Sequence, residues 1–240
     1  YNSTNIPKRQ LHNVYLPPFE SSVKAGCATI MSSFNDNDGV PASANKYLLQ
    51  NVLRDEWKFD GVTVSDWASV KEMINHGFCK DEAEAALKSA NAGLDMEMVT
   101  RCYIQNLENL VKAGQVSEKT IDNAVRNILR LKFRLGLFDN PYRKKISDSK
   151  MYSKEHLEAA QQAAEESFVL LKNENKTLPL SSQKINKLAV IGPMADAPHD
   201  QMGTLVFDGD KNHTQTPLAA LQKMYGNQIE ILYEQTLKYS

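Results

Sequence analysis

The chain has 240 residues, of which 42% are hydrophobic and 24% are charged, and its formal net charge at pH 7 is −1. This composition is typical of a globular protein that is long enough to build one large core or two small ones. Charges of both signs are interspersed and no apolar run approaches the roughly 20 residues that span a bilayer, so the sequence predicts neither a nucleic-acid partner nor a membrane partner.

The first quarter of the chain predicts two short helices and then a strand, a loop and a third helix. Helical patterns cover residues 11–15 and 19–24, and Gly26 follows the second as a usual helix end. Residues 27–35 form an apolar run typical of a parallel strand, and residues 45–56 have apolar side chains at helical spacing. The loop between them alternates Asp and Asn before Gly39, but Asn45 stands where a calcium loop needs a bidentate Glu, so we expect no calcium site.

The next strand, residues 59–67, carries the first candidate for chemistry. Val62, Thr63 and Val64 are β-branched, and a turn signal precedes them. The strand ends at Asp66, and a helical pattern begins at once. Catalytic residues of α/β folds lie in such strand-to-helix loops, so Asp66 is a candidate catalytic carboxylate. The alternative is that Asp66 only caps the following helix.

The remainder of the first 142 residues repeats the alternation of strands and helices. Asp81 followed by Glu84 is the pattern of a capping box at the start of a helix, and residues 94–98 predict a short third strand. Helical patterns then cover residues 101–112 and 117–135. Strands that alternate with helices predict a parallel sheet, and about 140 residues correspond to part of a (β/α)-barrel, since a whole barrel takes roughly 250.

A polar, basic segment without periodicity, residues 143–152, predicts a linker to a second domain. A long amphipathic helix then begins after Ser153 and is expected to reach residue 171. Residues 187–193 predict a buried strand, residues 217–224 a helix and residues 229–232 another strand, which is the start of an α/β domain. Pro193 and the residues after it exclude the glycine-rich fingerprint of dinucleotide binding.

Cysteine usage gives no sign of a metal or disulfide site. Cys27, Cys79 and Cys102 are widely spaced and include no Cys-x-x-Cys pair, so we expect three packing thiols. No metal or other cofactor is predicted.

Several stretches of this sequence, taken in order, resemble glycoside hydrolase family 3. The run Gly-Val-Thr-Val-Ser-Asp-Trp at 61–67 is similar to the nucleophile signature of that family. The other similar stretches are residues 15–19, 31–35, 45–54, 92–96, 135–138, 166–173 and 189–193. The resemblance implies an α/β chain in which residues 1–142 are the C-terminal portion of a TIM-like (β/α) barrel and residues 143–152 a linker. Residues 153–240 would be the beginning of an α/β sandwich domain.

The resemblance also implies a function. We expect a retaining exo-acting β-glycoside hydrolase, a β-glucosidase that releases terminal β-D-glucose through a covalent glycosyl-Asp intermediate. Its substrate would be an oligosaccharide or an aryl or alkyl β-glycoside, and its location the periplasm or the medium. A β-xylosidase of the same family and a non-catalytic carbohydrate-binding chain stay open as alternatives.

The same resemblance assigns roles to four residues. Asp66 would be the nucleophile, while the acid/base Glu would lie beyond this chain. Trp67 would form an aromatic wall of the sugar pocket, with core packing as the alternative. Phe34, which stands where family members often have Tyr, and Met31 would line the same pocket, with strand packing as the alternative. Asp95 and Glu97 are not expected to be catalytic, because acids at strand ends usually bind backbone groups or an arginine.

Overall fold

The computed structural model describes residues 2–142 and 151–235 of the chain. The chain divides into two compact units, residues 1–147 and 148–240, which are described separately below. Of the predicted linker, residues 143–152, only Met151 and Tyr152 belong to the described residues.

The first unit contains six strands and six α-helices, together with π-helical and 3-10 segments, among the described residues. In chain order they are β1 (Ser3–Thr4), α1 (Lys8–Gln10), a π-turn (Leu11–Tyr15), α2 (Pro17–Lys24), β2 (Thr29–Met31), β3 (Asp36–Asn37), β4 (Val40–Pro41), a 3-10 turn (Ala42–Ala44), a π-helix (Tyr47–Glu56), β5 (Val62–Trp67), α3 (Ser69–Glu72), α4 (Glu82–Ala92), β6 (Met96–Met98), α5 (Cys102–Lys112) and α6 (Glu118–Arg134).

The main sheet of this unit is parallel and has the order β2-β5-β6, so the strand that ends in the candidate carboxylate lies in the middle. Val62 and Thr63 are buried, as expected of a central strand flanked by helices. Parallel strands that alternate with helices confirm the predicted fold class, a portion of a TIM-like barrel.

The strand predicted over residues 27–35 is shorter than expected, since only Thr29–Met31 pair with β5. After Met31 the chain leaves the main sheet and enters a second, small sheet of order β1-β3-β4. In that sheet Asp36 pairs with Ser3, and its carboxylate accepts a hydrogen bond from the Ser3 hydroxyl at 2.7 Å. Strand pairing with the start of the chain is a long-range contact, which the apolar pattern of residues 27–35 does not reveal.

The core of the first unit lies where α3, α4 and α5 meet. Its most buried members are Val70, Met73, Ala85, Ala86, Ala92, Leu94, Cys102 and Val116. Small alanines on one face of α4 let the neighbouring helix approach closely. Burial raises the pKa of the Cys102 thiol to about 11 and also raises the pKa of Cys79, so both are inert packing thiols as predicted. Cys27 is exposed, and the prediction that it packs in the core is wrong.

A buried ion pair joins the amino ends of β5 and β6. Arg54 Nη2 lies 2.5 Å from Asp95 Oδ2, and the same carboxylate oxygen accepts the Thr63 backbone amide at 2.8 Å. Asn127 of α6 donates to the other Asp95 oxygen at 3.0 Å. Asp95 therefore holds two helices and two strands together, as its predicted structural role requires. Glu97 is also structural, because it accepts the backbone amide of Tyr103 at 2.6 Å.

The second unit has a β-α-β arrangement. Its elements are α7 (Lys154–Ser167), β7 (Lys187–Ile191), α8 (Pro217–Tyr225) and β8 (Glu230–Glu234), with three short 3-10 turns between β7 and α8. The two strands are parallel and in register from Lys187–Glu230 to Ile191–Glu234. This order of strand, helix and strand is the one that the sequence predicts for residues 187–232.

The long helix of this unit ends earlier than predicted, at Ser167 rather than residue 171. The Ser167 hydroxyl donates to the carbonyl of Ala164 at 2.7 Å, and Phe168 takes extended backbone angles. The next four apolar residues, 168–171, favour extended structure through Phe168 and Val169 and are exposed. Among the described residues, no helix of either unit is long and apolar enough to cross a membrane.

Candidate active site

The candidate site lies at the carboxyl end of the parallel sheet. Asp66 and Trp67 end the central strand β5, and Met31 ends the neighbouring strand β2. Met31 is in register with Val64, and Trp67 pairs with Met98 at the end of β6. The sheet therefore brings three strand ends to one edge, where α/β folds carry their chemistry.

Backbone and hydroxyl contacts hold Asp66. Its carboxylate accepts a hydrogen bond from the Trp67 amide at 2.6 Å, and its carbonyl accepts one from the Ser65 hydroxyl at 2.8 Å. The same hydroxyl accepts the Met98 amide at 2.7 Å and so fixes β5 to β6. Ser65 is fully buried whereas Asp66 is half-buried, which leaves the carboxylate near the surface of a rigid strand end.

The alternative role of Asp66, as the cap of the next helix, is wrong. The N-cap of α3 is Ala68, two residues later, and alanine has no side-chain oxygen to accept a helix amide. Ala68 has φ 59°, a left-handed conformation that costs a residue with a Cβ about 1–2 kcal/mol. Its amide donates to the Met98 carbonyl at 3.2 Å. A strained residue directly after the Asp-Trp pair indicates a loop whose shape is constrained by its surroundings.

The other three predicted site residues differ in exposure. Trp67 is 63% exposed and Met31 is 52% exposed, so neither packs in a core of the described structure. Phe34 lies half-buried in the segment after β2, beyond the end of the strand. The side chains of Trp67 and Met31 are thus solvent-exposed at the ends of β5 and β2, and their contact with a sugar stays a prediction.

Two of the cavities in this unit border the main sheet. One, of about 410 Å³, is lined by Met31 together with Tyr15, Phe19 and Trp57. The other, of about 550 Å³, lies beside Arg54 and Asp95 at the amino ends of the strands. Since the polar groups of the second are bound to one another and lie at the opposite end of β5 from Asp66, we do not assign the chemistry to it.

The sequence reasoning missed a set of buried serines, two of which follow the carboxyl ends of β2 and β5. Ser32, Ser43, Ser65 and Ser69 are all at least 95% buried. Alternation along β5 was a signal for Ser65, because it shares a strand face with the buried Thr63. No periodicity or spacing connects Ser32, Ser43 and Ser69, which are brought together by the fold.

Comparison with known families gives two matches that together cover most of the chain. Residues 1–131 match the glycosyl hydrolase family 3 N-terminal domain, and residues 168–237 match the C-terminal domain of the same family. The chain is 38% identical over 239 residues to a periplasmic β-glucosidase of Salmonella typhimurium, and this alignment covers 97% of the chain and 31% of the relative. It is 36% identical over 244 residues to a β-xylosidase of Formosa agariphila, and this alignment covers 96% of the chain and 34% of the relative.

Solved structures agree with these matches. A β-glucosidase from Listeria innocua in complex with glucose superposes with a TM-score of 0.87 at 38% identity, over 100% of this chain and 33% of that one. The chain spans about a third of the length of the curated relatives it matches. With a family match over more than half of its residues and the predicted fold observed, the chain belongs to glycosyl hydrolase family 3.

Proposed function

We propose that the protein carrying this chain is a retaining exo-β-glycosidase that acts on β-glucosides and that Asp66 is its nucleophile. The observation that carries the proposal is the position of Asp66, a half-buried carboxylate at the carboxyl end of the central strand, beside an exposed tryptophan. The similarity to β-glucosidases over nearly the whole chain supports the reaction and the sugar.

The reaction proceeds in two displacements. In the first, an Asp66 carboxylate oxygen forms a bond to the anomeric carbon while the glycosidic bond breaks, and the leaving oxygen takes a proton from an acid residue. In the second, water attacks the anomeric carbon, the bond to Asp66 breaks, and the base takes the proton of the water. The resemblance places that acid/base Glu outside this chain, so no glutamate described here is assigned to the role.

Trp67 and Met31 contribute binding rather than bond making. The Trp67 ring is large, exposed and adjacent to the nucleophile, which suits stacking on the apolar face of a sugar. Met31 ends the next strand and adds an adaptable apolar contact. Phe34 has no hydroxyl to donate to a substrate or to Asp66, so its role in the pocket is shape.

An activated 2-deoxy-2-fluoro-β-glucoside tests the proposal in the full-length protein. Its good leaving group needs no acid, and the fluorine slows the loss of the glycosyl-enzyme, so one sugar mass should appear on the Asp66 peptide. Asp66→Asn should abolish the label. Asp81→Asn is the matched control, because asparagine caps α4 as well as aspartate does and the label should be unchanged.

Two outcomes would redirect the proposal. The β-xylosidase alternative, which the Formosa agariphila relative favours, predicts faster labelling by the corresponding fluoro-xyloside. A folded protein that binds glucosides but takes no label from either reagent would be a carbohydrate-binding chain, and the nucleophile assignment would then be wrong.

We further propose that the protein is exported, to the periplasm or the medium, where it meets oligosaccharides or aryl and alkyl glycosides. The periplasmic β-glucosidase of Salmonella typhimurium is the support for this. Fractionation of the source cells, with activity assayed in each fraction, tests it. Activity confined to the cytoplasm would contradict it.

A further inference from the structure

Three buried serines form a hydrogen-bonded chain that links the segment after β2 to the segment after β5. Ser43 Oγ lies 2.9 Å from Ser32 Oγ and 2.7 Å from Ser69 Oγ. Ser43 is 1% exposed, and the other two are each 5% exposed. Such hydroxyls are shielded from water, so each depends on its protein partners.

The chain joins three segments that are distant in sequence. Ser32 directly follows β2, Ser43 is the middle residue of the 3-10 turn Ala42–Ala44, and Ser69 is the first residue of α3. The Ser32 end is fixed, because the Ser32 amide donates to the Val64 carbonyl of β5 at 2.9 Å. The other end lies three residues after Asp66.

Ser69 directly follows the strained residue of the loop. Ala68 has φ 59°, and such a conformation persists only where neighbouring groups determine it. The Met98 carbonyl binds the Ala68 amide on one side, and the serine chain holds Ser69 on the other. The loop that carries Asp66 and Trp67 is therefore fixed from two directions.

We propose that Ser43 is a positioning residue for the glycosyl-transfer step. It touches no substrate. Through its bond to Ser69 it holds the left-handed turn at Ala68 and thereby sets the position of the Asp66 carboxylate relative to the end of β2. This inference rests on the proposed function, because it gives Asp66 the role of nucleophile.

The expected effect is on the rate of bond formation more than on binding. A misplacement of about 1 Å can cost a reaction about a hundredfold. We expect Ser43→Ala in the full-length protein to lower the saturated rate of labelling by the fluoro-glucoside about ten- to a hundredfold, while the inactivator concentration at half-saturation changes less than about threefold.

Two further variants separate positioning from a general loss of stability. Ser69→Ala removes the other end of the same bond, so the double variant should be no slower than Ser43→Ala alone. Ala68→Gly removes the Cβ that makes the left-handed turn unfavourable, so this turn no longer needs the serine contacts to hold it. In the Ser43→Ala background, Ala68→Gly should therefore restore the labelling rate to within about threefold of wild type.

Ser89 provides the matched control. It is also fully buried, and its hydroxyl donates to the Ala85 carbonyl of its own helix at 2.7 Å, away from the loop that carries Asp66. Ser89→Ala should lower stability without changing the labelling rate. Thermal unfolding of each variant shows that it is folded, and if Ser43→Ala does not fold, Ser69→Ala carries the rate measurement.

The outcomes distinguish this inference from the proposed function. If the wild type is labelled on Asp66 but Ser43→Ala and Ser69→Ala are labelled as fast, the positioning role is wrong and the nucleophile stands. If the folded wild type takes no label on Asp66, both are wrong. If Ser89→Ala slows labelling as much as Ser43→Ala does, the effect of Ser43→Ala comes from lost stability alone, and the positioning role is wrong.

Discussion

The two ends of the same parallel sheet each carry an aspartate, and the two aspartates have opposite surroundings. Asp95, at the amino end, is 9% exposed and is bound by Arg54, Thr63 and Asn127. Asp66, at the carboxyl end, is half-buried, and its carboxylate accepts the amide of the next residue. A carboxylate whose oxygens are all bound to protein groups has no room for a substrate, whereas one at an open strand end can react.

The neighbours of the two residues show the same contrast. At the amino end a Cβ added to Gly61 would lie 2.2 Å from the Ala28 carbonyl oxygen, so the backbone there is closely packed. At the carboxyl end the strand ends in an exposed tryptophan and a strained alanine. The amino end of the sheet thus stabilises the fold, whereas the carboxyl end holds a loop in a defined but strained shape, which lowers stability.

The contrast predicts unequal stability costs for truncating the two carboxylates. Asp95→Ala leaves the 13%-exposed Arg54 side chain without its counter-charge, which should lower the free energy of unfolding by about 3–5 kcal/mol. Asp66→Ala removes a single bond to an adjacent amide and should cost about 1 kcal/mol or less. Urea unfolding midpoints of the two variants measure the difference. Equal costs would mean that Asp66 is structural.

Gly61→Ala tests the close packing at the amino end. The added Cβ overlaps the Ala28 carbonyl, whose oxygen accepts the Val62 amide at 3.0 Å, so the first pairing of β2 with β5 must shift. We expect a loss of about 1–3 kcal/mol in the free energy of unfolding, measured by urea denaturation. A variant as stable as the wild type would show that this end of the sheet is not tightly packed.

Ala68→Gly tests the strain at the carboxyl end and should have the opposite sign. Removing the Cβ relieves about 1–2 kcal/mol of strain in the folded state. The greater conformational freedom of glycine in the unfolded chain lowers the free energy of unfolding by roughly 0.5–1 kcal/mol and so offsets part of this gain. A net gain of about 0.5–1 kcal/mol in stability is expected, seen as a higher unfolding temperature. A loss of stability would contradict the strain assigned to this loop.

The smallest effect concerns an exposed ion pair near the amino end. A hydrogen bond from Arg134 lowers the pKa of Asp60. Because the folded pKa is below the unfolded one, the pair stabilises the fold above about pH 4, and the contribution is lost as pH falls through the folded pKa. Both side chains are at least half exposed, so Asp60→Asn should cost only about 0.2–1 kcal/mol at pH 7 and nothing near pH 2.

The control for that measurement is Arg134→Gln, which removes the largest cause of the lowered pKa of Asp60. In the Arg134→Gln background, the stability cost of adding Asp60→Asn should depend less on pH, because only the smaller effects of the Arg130 charge and of a backbone hydrogen bond then lower that pKa. An undiminished pH dependence would mean that Arg134 does not set the pKa of Asp60.

The sequence alone determined the fold class, the order of the main-sheet strands and of the longer helices, and the leading candidate residue. Local signals carried these predictions: β-branched residues in β5, Asp81 as the cap of α4, whose carboxylate accepts the Glu84 amide at 2.8 Å, and helical spacing in α6. Such signals depend on neighbours in the chain, so they can be read without knowing what lies beside them in space. The Ser-Asp-Trp motif added the family.

Only the tertiary structure decided what surrounds the candidate nucleophile. Local spacing left Asp66 as either a cap or a catalytic residue. In the structure β5 continues to Trp67, which pairs with Met98, and the N-cap of α3 is Ala68. The contacts of Ser43 with Ser32 and with Ser69 join residues that are 11 and 26 positions apart. No periodicity or charge pattern in the sequence predicts which side chain a serine contacts, so the role of these serines follows only from the packing that brings their hydroxyls together.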